Sequence, residues 1–318
     1  MIRGIVPYSL RKFTSFHFPG NNNIILFSTP RSGSTWLLEM IAAQPRIKTV
    51  REPLNVRLNH ICEMLGLDSW DEIYDEKKYP DIVQYLKKFS KNLEVHPHFK
   101  REKPLTETWH PITNRLLYKL LHGLENRIAD LKEELQAKAI ILIRHPIPVT
   151  LSRTVYPRLH AYHQSGIAKH FKDEELTFAQ NIITNGTDFE KGIVSWCFQN
   201  KVFLSQRNEG LLITYEELVM NRMCVIPKIT DYLDIPETDK MLSRSFKASG
   251  STGKSTESRI QLLEKVEKGE ENYRKLIEKW KMNTSPDMIE RVQEILDAFH
   301  ITAYRADDIM PSKDLLLC

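Results

Sequence analysis

Residues 24–36, Ile-Ile-Leu-Phe-Ser-Thr-Pro-Arg-Ser-Gly-Ser-Thr-Trp, contain the pattern from which the rest of the chain can be interpreted. Ile24 to Phe27 is an apolar, β-branched run of strand length, and Thr29-Pro30 interrupts it. Apolar residues then recur at helical spacing from Leu37 to Ile41, until Pro45 ends the pattern. A strand, a short polar turn and a helix predict a phosphate-binding corner, because a helix N-terminus presents unpaired N–H groups.

The turn differs from the loop of nucleotide triphosphatases, which has the pattern Gly-x-x-x-x-Gly-Lys-[Ser/Thr] with a hydroxyl on magnesium. Here the first glycine is missing, and Arg31 precedes Gly33 where a lysine would follow it. On composition alone, an ordinary β-turn-α corner is an equally good interpretation. Taken whole, the string resembles the 5′-phosphosulfate loop of the sulfotransferase family, whose donor is 3′-phosphoadenosine 5′-phosphosulfate. The resemblance implies a set of nucleotide-binding residues: Arg31, Ser32, Gly33, Ser34, Thr35 and Trp36. It also implies a catalytic role for Arg31, which would neutralise the charge that grows on the leaving phosphate together with the loop N–H groups and Ser34 or Thr35.

A second match lies after the buried-type strand predicted at Ala139 to Ile143. Sulfotransferases bind the 3′-phosphate of the nucleotide with an arginine just past a strand and a serine eight residues further on. Arg144 and Ser152 stand at that interval. A forked cation and a hydroxyl can converge on one phosphate, although either residue could instead have a capping role. Two phosphate elements in the family's order favour the nucleotide site.

The dipeptide Glu52-Pro53 follows a short strand predicted at Lys48 to Val50. Ligands of open α/β sheets bind at the carboxyl ends of such strands. A surface salt bridge with Arg51 or Arg57 is the ordinary role for such a glutamate. Many sulfotransferases acting on carbohydrates or on protein tyrosines carry a glutamate at about this distance past the loop. The resemblance therefore implies that Glu52 is the general base on the acceptor hydroxyl.

The segment Arg115 to Leu121 is ambiguous between a strand and a helix start. We favour a strand, because Gly123 follows it and a helical pattern comes next. The soluble small-molecule sulfotransferases place a lysine and a histidine base on such a strand. The resemblance thus implies that Lys119 neutralises charge on the transferring group and that His122 is the rival base. Solvated roles remain the alternative for both side chains.

Two further segments are nucleotide candidates. Leu211 to Thr214 predicts a strand, and the following Tyr215-Glu-Glu-Leu is similar to a family motif in which the tyrosine borders the adenine, with packing as the alternative. Residues 248–255, Ala-Ser-Gly-Ser-Thr-Gly-Lys-Ser, satisfy a relaxed phosphate-loop pattern, but no apolar strand precedes them. We interpret that match as accidental for ATP. In the family a basic Gly/Ser-rich segment closes over the nucleotide here, which makes Lys254 and Arg259 candidate contacts.

Composition limits the class of protein. The chain has 318 residues, 41% hydrophobic and 27% charged, with a formal net charge of +4. That charge is too small to require nucleic acid as a partner. No run approaches 18 apolar residues, so no transmembrane segment is expected. The four cysteines, Cys62, Cys197, Cys224 and Cys318, have no metal-site spacing, and we expect reduced thiols, no bound metal and a cytoplasmic location.

The predicted organisation is a single α/β domain over residues 1–318, with a mainly parallel sheet flanked by helices. The family resemblance implies a P-loop nucleotide-kinase-like architecture for it. Residues 1–23 are expected to be a leader and 305–318 a loose tail. Segments 54–112 and 154–192 match no motif of the family and are expected to be acceptor-side insertions. Three aromatic residues in the first segment are candidates to stack on a sugar, with core or surface packing as the more ordinary role: Trp70, Tyr85 and Trp109. The sequence leaves the oligomeric state open.

The predicted activity is transfer of a sulfuryl group to an acceptor hydroxyl, with adenosine 3′,5′-bisphosphate as the nucleotide product. In the family resemblance, Arg31 in place of the lysine of the soluble class favours the carbohydrate or tyrosyl-protein type over phenol or steroid acceptors. The expected partner is a small-molecule or glycan acceptor. Two alternatives stay open: a P-loop kinase that uses ATP and magnesium, and a non-catalytic nucleotide-binding protein.

Overall fold

The apolar run at residues 24–27 lies in the central strand of a parallel sheet. The structure is a computed structural model that describes residues 16–18, 20, 22–94, 112–154, 156, 158–164, 166–247, 249 and 273–318. Its strands within those ranges are β1 (Phe16–His17), β2 (Asn23–Ser28), β3 (Ile47–Arg51), β4 (Ile112–Thr113), β5 (Arg115–Leu120), β6 (Ala137–Ile143) and β7 (Leu211–Thr214). Five of them form one sheet in the order β3-β5-β2-β6-β7, and β1 pairs separately with β4.

Every pairing in the five-stranded sheet is parallel. All six residues of β2 are buried, and so are the last five of β5 and of β6. Continuous burial on both faces is typical of parallel sheets covered by helices on each side. The predicted fold class is confirmed, and β5 settles the ambiguous segment 115–121 as a strand.

Helices connect the strands and cover the sheet. They are α1 (Ser34–Ile41), α2 (Asn59–Leu65), α3 (Tyr79–Ser90), α4 (Ile128–Glu134), α5 (Pro146–Leu151), α6 (Ala161–Gln164), α7 (Asp173–Asn185), α8 (Asp188–Ser205), α9 (Tyr215–Met220), α10 (Arg222–Leu233), α11 (Thr238–Ser245), α12 (Arg274–Glu278) and α13 (Pro286–Ala298). Helix α8 begins with a capping box, in which Thr187 N–H donates to the Glu190 carboxylate and Glu190 N–H donates to the Thr187 hydroxyl. Its Phe203 packs edge-on against Phe27 of β2, so α8 is anchored on the central strand.

Residues 305–318 are not the loose tail that the sequence suggested. Ala306, Ile309 and Leu315 are buried, and residues 304 and 311 form an isolated antiparallel bridge. The backbone N–H groups of Leu317 and Cys318 donate to the Glu217 carboxylate at 2.9 and 2.7 Å. Apolar side chains spaced irregularly along this segment pack on the domain without forming a regular element, which is why no periodic pattern revealed them.

The expectation of four reduced cysteines is wrong for one pair. Cys224 in α10 and Cys318 form a disulfide across 94 residues of sequence, whereas Cys62 and Cys197 are free thiols. A bond between scattered cysteines leaves no spacing signature, because pairing depends on where the chain brings them together. No helix among the described residues is long and apolar enough to cross a membrane.

Candidate active site

The corner between β2 and α1 has the backbone shape of an anion cradle. Arg31 and Gly33 both have left-handed φ values, 73° and 89°, and Gly33 is the N-cap of α1. The turn is closed by the Ser32 N–H, which donates to the Thr29 carbonyl at 3.3 Å. The loop therefore directs the N-terminus of an eight-residue helix toward the carboxyl edge of the sheet, where the positive end of its dipole favours an anion.

The Tyr215 side chain packs against the loop between β2 and α1 at Gly33. A Cβ at Gly33 would lie only 2.5 Å from Cδ2 of Tyr215, so the close approach requires glycine. The Tyr215 ring also packs edge-on against the Trp36 indole, with ring centres 6.0 Å apart. The Arg144 guanidinium lies over the same ring, 4.2 Å from its centre. Tyr215 is 1% exposed. These are packing contacts, and the role of Tyr215 beside an adenine stays a prediction.

Arg144 lies directly past β6, next to the loop after β2. Its Nη1 donates to the Arg31 carbonyl at 3.1 Å, so the two predicted phosphate-binding arginines belong to one surface. Ser152 follows α5, at the opposite end of that helix from Arg144, and its hydroxyl donates to the Val149 carbonyl at 2.8 Å. The structure brings Arg31 and Arg144 together, whereas the convergence of Ser152 on the same phosphate stays a prediction.

Glu52, Lys119 and His122 form a cluster at the carboxyl ends of β3 and β5. Lys119 Nζ lies 3.0 Å from Glu52 Oε1, and His122 Nε2 lies 3.6 Å from Glu52 Oε2. Lys119 Nζ also donates to the Thr35 hydroxyl of α1 at 2.8 Å. Thr35 thus connects the loop after β2 with the cluster through Lys119, a contact that no local sequence pattern indicates.

The cluster has a defined charge state. Burial on its own raises the pKa of Glu52, but the neighbouring His122 imidazole and the charge of Lys119 outweigh it and hold that pKa well below its usual range. Burial lowers the pKa of Lys119 and of His122, and in both cases Glu52 partly opposes the shift. At neutral pH the site therefore contains a carboxylate and a neutral imidazole.

The backbone beyond β5 fixes the direction of His122. Trp70 packs on the imidazole with ring centres 5.3 Å apart. Gly123 follows with a left-handed φ of 95°, and a Cβ there would lie 2.2 Å from Ile73 Cγ2. Arg158 donates to the Leu121 carbonyl at 3.0 Å, one residue before His122. The chain segments on both sides of the histidine are thus held by contacts from the insertion segments.

A buried ion pair near this site was not predicted. Arg158 Nη1 lies 2.5 Å from Glu125 Oε1 and 2.7 Å from the Tyr74 hydroxyl, and that hydroxyl donates to Glu125 Oε2 at 2.8 Å. Arg158 is 4% and Glu125 1% exposed. Arg158 and Glu125 lie 33 positions apart, and the sequence around each is typical of a charged surface segment. No local pattern therefore indicates that they pair.

Several other candidates do not join the site. Tyr85 is buried and its hydroxyl donates to the Pro53 carbonyl, so it is a core residue and not a platform for a sugar. Lys254, Arg259 and Trp109 lie outside the described residues. Within the described part of the chain, no group of three or more His, Cys, Asp or Glu side chains has the arrangement of a metal site.

Comparisons with solved structures return sulfotransferases at low similarity. The sulfotransferase domain from the curacin biosynthetic pathway is 17% identical, with a TM-score of 0.45 over 90% of this chain and 99% of that one. The sulfotransferase domain of the Synechococcus PCC 7002 olefin synthase is also 17% identical, with a TM-score of 0.43 over 90% and 96%. A mouse sulfotransferase complexed with PAP is 18% identical, with a TM-score of 0.42 over 91% and 88%. These similarities are too low to carry an argument about the site.

The family comparison is decisive. A search of curated protein sequences returns no match. The family model described as the sulfotransferase domain, however, matches residues 21–305, which include the phosphate loop, the Glu52 cluster and Arg144. The resemblance first seen in the loop after β2 is confirmed, and the chain belongs to the sulfotransferase family of enzymes.

Proposed function

We propose that this enzyme transfers a sulfuryl group from 3′-phosphoadenosine 5′-phosphosulfate to a hydroxyl of a carbohydrate acceptor. The observation that carries the proposal is the contact of Lys119 with both Thr35 and Glu52. Through it, a helix N-terminus suited to a phosphosulfate and a pair of proton-accepting groups share one edge of the sheet. Donor binding and acceptor activation are thereby adjacent, as an in-line transfer requires.

The donor nucleotide would be held at two places. The loop from Arg31 to Trp36 would bind the 5′-phosphosulfate through its N–H groups and the Arg31 guanidinium, which is exposed beside the loop. Arg144 would bind the 3′-phosphate, with Ser152 as the expected second donor. Tyr215 supports both parts, since its ring contacts Gly33 and Arg144. Lys254 stays a further candidate outside the described residues.

The acceptor proton would be taken by the Glu52–His122 pair. Glu52 is the base implied by the family resemblance, but its lowered pKa makes it a weak proton acceptor while Lys119 is bound to it. His122 is neutral and faces Glu52, which can hold the imidazole in one orientation and stabilise its protonated form. The two groups are close enough to titrate as a coupled unit, so the proton is assigned to the pair.

Lys119 would stabilise charge in the transfer. Lys119 is 4% exposed, and its ammonium group lies between Thr35 of α1 and Glu52. Preorganised donors of this kind contribute on the order of 10²–10³ in rate each when they face developing charge. A kinase mechanism is disfavoured, because the loop lacks the lysine that follows the second glycine in phosphate loops of ATP-using enzymes.

The carbohydrate acceptor is argued from the residues beside the base. Glu52 lies at the distance past the loop found in carbohydrate and tyrosyl-protein sulfotransferases. Trp70 lies against His122 and is only partly buried, so its indole offers an apolar face at the point where the acceptor hydroxyl must arrive. We also retain the proposal that segments 54–112 and 154–192 form the acceptor side of a single domain.

Ligand-induced thermal stabilisation tests the donor assignment. Adenosine 3′,5′-bisphosphate is expected to raise the melting temperature, whereas ATP with magnesium has a smaller effect. Arg144→Ala should abolish most of the bisphosphate shift, because a charge-assisted hydrogen bond contributes about 1.5–3 kcal/mol. Arg207→Gln, which removes an exposed arginine paired with Asp314, is the control. A larger shift with magnesium-ATP than with the bisphosphate would contradict the proposal. A separate screen of acceptors with a labelled sulfate donor identifies the acceptor.

A further inference from the structure

Arg153 is a partly buried cation for which the structure shows no ion pair among the described residues. Its Nη1 atom is buried and makes no hydrogen bond within the described part of the chain. Its guanidinium lies 4.9 Å from the centre of the Tyr156 ring, which fixes the plane of the group without neutralising it. An arginine in such surroundings costs free energy in the empty protein unless a bound group supplies the missing negative charge.

The charges around Arg153 increase this cost. Burial and the positive charge of Arg158 lower the pKa of Arg153 to about 10, and the groups that oppose the shift are Tyr156 and Tyr162. The Glu125 carboxylate beside Arg158 is already bound by Arg158, by the Tyr74 hydroxyl and, at 3.3 Å, by the Gln199 amide. Among Arg153, Arg158 and Glu125, two side chains are therefore positive and one is negative.

The position of Arg153 places it beside the proposed active site. It follows Ser152 at the end of α5, a helix of six residues and so about 9 Å long, which begins just after Arg144. Arg158, whose charge acts on Arg153, also lowers the pKa of His122 and donates to the Leu121 carbonyl. Arg153 thus follows the helix that begins beside Arg144, and it lies within electrostatic range of Arg158, whose charge in turn acts on His122.

We propose that Arg153 is an oxyanion-binding residue of the active-site cleft, where it binds a phosphate, sulfate or carboxylate group carried by the acceptor or by the nucleotide. The assignment rests on the proposed function for the identity of these two molecules. The anion chemistry itself rests on the buried Nη1 atom and on a positive charge that no anion compensates within the described part of the chain. If the acceptor carries the anion, the substrate class narrows to acidic molecules, such as carboxylated or already sulfated glycans.

The stability of the ligand-free protein gives the first test. Arg153→Gln and Arg153→Met remove the uncompensated charge, so we expect their melting temperatures to equal or exceed that of the parent. Arg207→Gln removes an exposed arginine that is paired with Asp314 and lies just before β7. This control should leave the melting temperature nearly unchanged. A clear fall in melting temperature for both Arg153 variants, combined with unaltered ligand binding, would show a structural role and overturn the proposal.

Binding measurements distinguish the two sources of the anion. Inorganic sulfate is titrated into the parent and Arg153→Gln proteins, with and without saturating adenosine 3′,5′-bisphosphate. A sulfate-induced stabilisation that persists in the nucleotide-saturated parent and disappears in the variant assigns the anion to the acceptor. A bisphosphate dissociation constant raised about 10- to 100-fold in the variant assigns it to the nucleotide.

Equal sulfate responses and equal bisphosphate dissociation constants in the parent and in Arg153→Gln would refute the proposal. The result is separable from the proposed function. If the parent protein shows no bisphosphate binding at all, the donor assignment fails, whereas the sulfate titration still reports whether Arg153 binds an oxyanion.

Discussion

At the scale of single residues, the proposed mechanism depends on which of Glu52 and His122 accepts the proton of the acceptor hydroxyl. Lys119 holds Glu52 as a carboxylate, and Trp70 together with Gly123 fixes the imidazole beside it. Burial and the charges of Arg158 and Lys119 lower the pKa of His122 below its ordinary value of 6.5, while Glu52 raises it. The imidazole therefore accepts a proton at neutral pH and loses that ability when the pH falls through its pKa.

The pH dependence of kcat/KM tests this division. We expect an acid limb below pH 6.5, because protonation of His122 removes the base. Glu52→Gln removes the carboxylate that raises the His122 pKa, so the limb should move to lower pH and the rate should fall by about 10²–10⁴. His122→Asn should remove the limb. An unchanged limb in His122→Asn would assign the titration to another group.

At the scale of elements, the corner joining β2 to α1 depends on Gly33. An alanine there has an unfavourable φ of 89° and would press its Cβ into the Tyr215 ring. Gly33→Ala should lower stability by about 1–2 kcal/mol from the backbone alone and should also abolish bisphosphate binding. Gly66→Ala is a matched control, since its φ is 59° and the nearest atom to a Cβ is the flexible Lys78 Nζ at 3.7 Å.

Denaturant unfolding and nucleotide titration measure the two effects of this substitution separately. Gly66→Ala is expected to lose stability by a similar backbone amount and to keep its nucleotide affinity. If Gly33→Ala binds the bisphosphate as tightly as the parent does, the corner between β2 and α1 is not the nucleotide cradle.

The strands and the loop were predictable because their signals are local. Residues 24–27 and 139–143 form continuous apolar runs, and both are buried strands in the structure. Arg31, Gly33 and Arg144 follow such strands directly, so the parallel sheet brings them to one edge. The contact of Lys119 with Thr35 and the pairing of Arg158 with Glu125 could not be predicted, because they join segments whose spacing depends on the whole fold.

At the scale of the whole molecule, one corner of the fold connects the proposed nucleotide site with the C-terminal segment. Tyr215 supports the phosphate loop, and the next residue, Glu216, accepts hydrogen bonds from the His145 N–H at 3.0 Å and the Tyr304 hydroxyl at 2.8 Å. Glu217 binds the N–H groups of Leu317 and Cys318. The segment after α13 is therefore part of the support of the site, which the expectation of a loose tail missed.

The Cys224–Cys318 disulfide should contribute to stability through this segment. Closing a loop of nearly a hundred residues restricts the unfolded chain, and native disulfides typically contribute about 2–4 kcal/mol. We expect Cys318→Ser, or reduction of the parent protein, to lower the free energy of unfolding by that order in denaturant titrations. Cys62→Ser, at a free cysteine, is the control and should change stability little.

Thiol counting provides the complementary measurement. Alkylation of the unfolded, unreduced protein should label two cysteines, Cys62 and Cys197, and labelling should rise to four after reduction. Four labelled thiols before reduction would contradict the disulfide. The bond also removes one of the reasons for expecting a cytoplasmic location, namely the reduced cysteines, because stable disulfides form in oxidising compartments. If the bisphosphate affinity falls on reduction, the corner at residues 215–217 transmits the state of this bond to the phosphate loop.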